Sequence, residues 1–133
     1  MKLTVDTNVV LRYLLADDIK QATTACKVMQ EATLVAIPLP VLCEVAWSLS
    51  RGYKLAPDDI ADAIAILIEV DNVEVNRGAA DAGLAVLRSG GDFADGVIAY
   101  EGLILGGEVF ATFDKKAVAI LNKQSAIRTR LLS

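Results

Sequence analysis

Histidine is absent from all 133 residues of the chain. That absence excludes Ser-His-Asp and Cys-His catalysis, histidine-based RNA cleavage without metal, and His-ligated zinc. Cysteine is scarce: Cys26 and Cys43 form no CxxC pair, and each sits in an apolar, helix-like context. They read as small buried thiols in a reducing compartment rather than as a disulfide. No apolar run reaches the length of a membrane span, and "MKLTVDTN" enters a strand-like segment at once, without the apolar region of a signal peptide. The expectation is a soluble, cytoplasmic protein with no membrane partner. Acids are missing from one end: none follows Asp114, whereas Lys115, Lys116, Lys123, Arg128 and Arg130 do. The whole chain is nevertheless acidic, with net charge −4 and pI near 4.7, which argues against indiscriminate adhesion to nucleic acid. Carboxylates, hydroxyls, lysines or a bound hard metal are what remains to do chemistry.

Hydrophobic residues make up 54% of the sequence, enough to fill the core of one compact domain spanning residues 1–133. "KLTV" reads as a strand that delivers Asp6 to its end, and "DTNVVLRYLL" as the helix after it. "IKQATTACKVMQEA" is a helix with Ala22, Ala25, Cys26 and Met29 on one side; "LVAI" is a buried strand and "PLPVLCEVAWSLS" a helix closed by Arg51 and Gly52. "APDDIADAIAILIEV" opens with Pro57 and an acidic first turn, as helices do. "NVEV" is a brief strand, "RGAADAGLAVLRSG" a helix ending at Gly90, and "DFADGVIAYEGLILGG" another helix. "EVFAT", "DKKAVAILNK" and "AIRTRLL" read as strand, short helix and last edge strand. Short apolar strands alternating with helices predict a three-layer α/β/α domain around a mostly parallel sheet of four to five strands.

Reactive groups in such folds gather at the carboxyl ends of the strands. Asp6 ends the first strand and Asp114 lies just past "EVFAT"; taken singly, each is an ordinary helix N-cap. Asp92 and Asp95 stand three apart at the start of a helix whose Val97, Ile98, Leu103, Ile104 and Leu105 predict heavy burial. Glu44 is the odd acid, the only charged residue between Glu31 and Arg51. Its neighbours on a helix face, Pro40, Val41, Trp47 and Ser48, are mostly apolar, so it is either an ordinary exposed glutamate or a buried one neutralised or held by a cation.

Four blocks, "VDTNVVLRYL", "LPVLCEVAWSL", "DFADGVIA" and "VFATFDKKA", occur in this order, and with them the chain resembles PIN domains of the VapC toxin type along essentially its whole length. The resemblance implies an acidic quartet, Asp6, Glu44, Asp95 and Asp114, that binds Mg²⁺ or Mn²⁺, as one or two ions, and cleaves RNA. It matches Thr7, Asn8 and Thr112 to supporting polar positions, and it implies a small inhibitory antitoxin and a homodimer. Gly96 stands where alanine is usual in these proteins, a change expected to loosen the helix start.

The physical chemistry agrees with what the resemblance implies. Crowded carboxylates repel and take up protons unless a cation joins them, and a set of oxygen ligands alone favours Mg²⁺ or Mn²⁺ over zinc. Such an ion would keep a Glu44 embedded among apolar residues charged. Asp92 is better placed to cap its helix or steady a ligand than to be one. Lys115 and Lys116, beside Asp114, lead the candidates for contact with an RNA backbone, followed by Arg12, Arg51 and Lys54.

Three rival readings are weaker. A phosphoacceptor receiver domain needs paired acids after the first strand, but "TVDTN" offers one and "VEVN" ends in Asn76. A haloacid-type hydrolase needs an aspartate where Asn8 stands. A catalytically silent PIN module that binds protein or RNA has no reason to keep mutually repelling acids.

Overall fold

The computed structural model describes residues 1–124 and 127–133. Its chain divides into two units, Met1–Asn76 and Arg77–Ser133. The first carries β1 (Lys2–Thr4), α1 (Thr7–Leu14), α2 (Ile19–Glu31), β2 (Leu34–Ala36), α3 (Leu39–Arg51), α4 (Pro57–Ile68) and β3 (Val73–Glu74). The second carries α5 (Arg77–Arg88), α6 (Phe93–Ile104), β4 (Val109–Thr112), α7 (Lys115–Leu121) and β5 (Arg128–Leu131). The mixed α/β class expected from the sequence is what is found, with every strand pairing parallel.

In the first unit β2 lies between β1 and β3. Each strand is followed by a helix, the connection that parallel neighbours require. Asn72 fixes the entry to β3: its side-chain amide donates to the carbonyls of Met29, at 2.7 Å, and Ala32, at 2.9 Å, tying the end of α2 to the sheet. Val5, Val10, Val35, Leu42, Val45, Leu49, Ile60, Ile64 and Leu67 are buried and form the core of this unit. On α4, Ile60, Ile64 and Leu67 recur at helical spacing behind Pro57 and the acidic pair Asp58 and Asp59, so the face, the start and the dipole agree.

In the second unit α5 packs on α6, while β4 pairs with β5. The α5 terminus closes on Gly90, whose φ of +89° suits glycine. Gly91 N–H donates to the Val86 carbonyl and Gly90 N–H to the Leu87 carbonyl, a double bond pattern that satisfies the helix end. Val86, Ala99, Ile120 and Leu121 form a small core against which Phe110 and Ile127 pack.

The paired strands are few in each unit, three in the first (β1, β2, β3) and two in the second (β4, β5). β3 is only two residues long, because Asn76 and Arg77 already turn the chain into α5, and it pairs only with β2. The α6 helix is far less buried than its composition predicts. Phe93, Gly96, Val97 and Ala99 are inside, but Ile98, Leu103, Ile104 and Leu105 are exposed, Leu105 at 87%. Phe93, Gly96 and Val97 follow the stripe that meets α5 and Ala99 reaches the core with Ile120 and Leu121, while the exposed apolar residues fall outside these two contacts. Of the last strand, "AIRTRLL", residue Ala126 lies outside the described residues; β5 covers Arg128–Leu131.

Candidate functional site

Asp6 follows β1 in extended backbone and caps α1, its Oδ1 accepting the Val9 N–H at 3.1 Å. Asp114 follows β4 and caps α7, its Oδ1 accepting the N–H groups of Lys116, at 2.9 Å, and Ala117, at 3.1 Å. Asp92 caps α6 through a longer contact, 3.4 Å, from the Ala94 N–H. The capping role is therefore real for all three. It occupies only Oδ1 in each case, so Oδ2 is left for another partner, and capping does not compete with ion binding.

Asp95 is different. It is the third residue of α6 and half-buried; its N–H donates to the Asp92 carbonyl at 3.0 Å, but its carboxylate makes no hydrogen bond among the described residues. Burial first, then the charges of Asp92 and Asp114, raises its carboxyl above the ordinary carboxylate value. The second unit thus brings Asp92, Asp95 and Asp114 near enough to repel. Within neither unit are three or more acidic or thiol side chains gathered closely enough to hold a metal ion, among the described residues. Thr112 supports Asp114 directly: its hydroxyl oxygen accepts the Asp114 N–H at 3.0 Å, fixing the turn that presents the carboxylate.

Glu44 corrects the sequence reading most sharply. It is exposed, not embedded. Leu42, Val45, Ala46 and Leu49 take the buried face of α3, and Pro40, Glu44, Trp47 and Arg51 form an exposed stripe at spacings of four, three and four. Its apolar neighbourhood in sequence is divided between the two faces, with Trp47 itself 62% exposed.

The supporting and basic candidates fall in varied places. Thr7 and Asn8 open α1, with Asn8 exposed. Lys115 and Lys116 are exposed on the first turn of α7, beside Asp114; Arg51 and Lys54 are exposed around the end of α3. Arg12 is engaged rather than free. Its Nη1 pairs with Asp17 Oδ1 at 3.3 Å and its Nε donates to Gln21 Oε1 at 2.7 Å, while Tyr53 O–H donates to Asp17 Oδ2 at 3.1 Å. This network went unread in the sequence, because Tyr53 lies 36 residues from Asp17 and nothing local announces the pairing.

The PIN domain family model matches residues 3–122, and the chain belongs to the PIN domain family. The fold is of a nuclease type. No curated protein matches the chain significantly. No helix among the described residues is long and apolar enough to cross a membrane.

Proposed function

We propose that this chain is a Mg²⁺- or Mn²⁺-dependent ribonuclease built as one PIN domain over residues 1–133, the toxin of a toxin–antitoxin pair. The observation that carries the reading is the crowding of Asp95 by Asp92 and Asp114 in a chain that has no histidine to relieve it. Carboxylates placed where they repel are costly, and a hard divalent cation turns that cost into affinity.

Asp6, Glu44, Asp95 and Asp114, the acids that the family resemblance picks out, are the proposed ligands of one or two ions. A bound ion supplies an activated water and offsets charge on the phosphate and the leaving oxygen. Thr112 holds the Asp114 turn, Asp92 anchors the start of α6, and Thr7 and Asn8 flank Asp6. Lys115 and Lys116 offer exposed charge for the RNA backbone beside Asp114, with Arg51 and Lys54 as further contacts. Arg12, already paired, serves RNA less directly. The inhibitor is a small antitoxin that places an arginine among the acids, since the guanidinium fork pairs with carboxylates bidentately. The toxin acts as a homodimer in the cytoplasm.

The test is cleavage of RNA by the purified chain, freed of any bound inhibitor. Cleavage should need Mg²⁺ or Mn²⁺ and stop with chelator. Undiminished cutting in EDTA, with contaminating nuclease excluded, overturns the metal mechanism. An inert protein that binds RNA would instead be a silent PIN module.

A further inference from the structure

A groove of about 520 Å³ runs between α1 and α2 and begins at Asp6. Val9 and Ala25 give it an apolar floor, while Gln21 and Thr24 stand on its wall one helical turn apart on α2. We propose that this groove holds the base of a single-stranded RNA nucleotide next to the cleaved bond, and that Gln21 and Thr24 read its edge. The inference rests on the ribonuclease reading above for the placement of the cut, but the groove lies wholly within the first unit.

The argument turns on which hydrogen-bonding atoms are already used. Arg12 Nε donates to Gln21 Oε1, which fixes the amide so that its NH₂ is the free end. That NH₂ has no acceptor among the described residues. Arg12 is in turn held by Asp17, and Asp17 accepts from Tyr53, so the amide is oriented by a chain of partners rather than by its own rotamer. Thr24 O–H donates to the Lys20 carbonyl at 3.1 Å, leaving the hydroxyl oxygen as an acceptor. The wall therefore offers one donor and one acceptor in a fixed order.

Bases with a keto group, guanine and uracil, carry an acceptor beside an N–H donor; adenine and cytosine carry the reverse order. For one strand direction a fixed donor and acceptor distinguish the two sets. Lys20 on the rim supplies positive charge for the phosphates, and Asp6 at the groove mouth sets the base beside the proposed acidic site. Asp18 also lines the groove, so its charges nearly balance, and it is the apolar surface of Val9 and Ala25 beside the oriented pair Gln21 and Thr24 that suits a base better than a peptide segment.

The experiment uses the full chain and short single-stranded RNA oligonucleotides that differ at one base. Binding is read by fluorescence anisotropy in EDTA, with RNA integrity checked on gels, and cut sites are then mapped after adding Mg²⁺. The parent should favour either keto or amino bases. Gln21→Ala should weaken binding of the preferred oligonucleotide about tenfold, the scale of one lost hydrogen-bonding partner, and flatten the preference. Gln21→Glu, which leaves two acceptors and no donor on the wall, should weaken binding and abolish the preference, and Thr24→Val should blunt it. Gln21 and Thr24 are exposed, so these variants should fold, and circular dichroism checks that. Absence of RNA binding, absence of base preference, or a preference unchanged in Gln21→Ala overturns the assignment and leaves the groove to a protein segment. A Gln21-dependent preference in EDTA without cleavage in Mg²⁺ sustains the groove and overturns the ribonuclease reading alone.

Discussion

Gly96 on α6 lies against the carbonyl of Ala82 on α5: a Cβ at Gly96 would stand 2.4 Å from the Ala82 oxygen and 2.8 Å from the Gly83 Cα. The obstructing atoms are backbone and cannot rotate aside. The glycine therefore tightens the α5–α6 packing instead of loosening the helix start, as its sequence position suggests. Gly96→Ala gains up to ~1 kcal/mol in helix propensity. Against that, forcing a methyl into a closed contact costs ~1–3 kcal/mol. The variant should melt below the parent in a thermal scan; an unchanged or higher midpoint would show that α6 can slide away from α5 at little cost.

The two acids of "GGDFADG" should separate cleanly. Asp95 caps nothing, so Asp95→Asn should abolish metal-dependent cleavage without lowering stability. Asp92→Asn keeps an acceptor at the N-cap and should retain substantial activity. Asp92→Ala should cost ~0.5–1 kcal/mol, the lower part of the capping range, because the bond to Ala94 is long. Cleavage rate against Mg²⁺ concentration for the two asparagine variants is the direct comparison. Activity lost in Asp92→Asn and kept in Asp95→Asn would exchange the roles.

Most elements were legible from sequence because their signals are local. Pro57 with its acidic turn, the capping aspartates and Gly90 each mark a boundary through chemistry contained within a few residues. Burial was less legible, since it depends on what packs opposite. Glu44 and the tail of α6 show both directions of error: an acid among apolar neighbours can face water, and Ile104 can lie on a helix without meeting a core. The orientation of Gln21 was beyond sequence reasoning, because it depends on Arg12, Asp17 and Tyr53 meeting across three segments.

Glu44→Gln follows from that exposure. With the carboxylate in water, removing its charge should change stability by no more than ~0.5 kcal/mol, as at other exposed surface positions. Under the proposed function the same change should collapse cleavage. Denaturant melts and RNA cleavage on one preparation measure both. Full activity in Glu44→Gln would remove this residue from the ion-binding set.

The raised Asp95 carboxyl fixes the sign of a pH effect in metal-free buffer. A group whose folded-state pKa lies above its unfolded value binds its proton more tightly in the folded chain. Its stability contribution is fully present below the unfolded pKa, near ~3.9 for aspartate, and is lost as pH rises through the folded pKa. Asp95 should therefore weaken the fold at neutral pH relative to Asp95→Asn, and the gap should narrow on acidification. Taking the difference between parent and variant removes the contribution of the other carboxylates. Saturating Mg²⁺ at neutral pH should close or reverse the gap, because binding to the folded parent stabilises it and the asparagine variant binds less well. Urea melts of the two proteins from pH 7 downward, with and without Mg²⁺, give the four curves required. A gap that widens as pH falls would mean that Asp95 gains more from its charge in the fold than it loses to burial, Asp92 and Asp114.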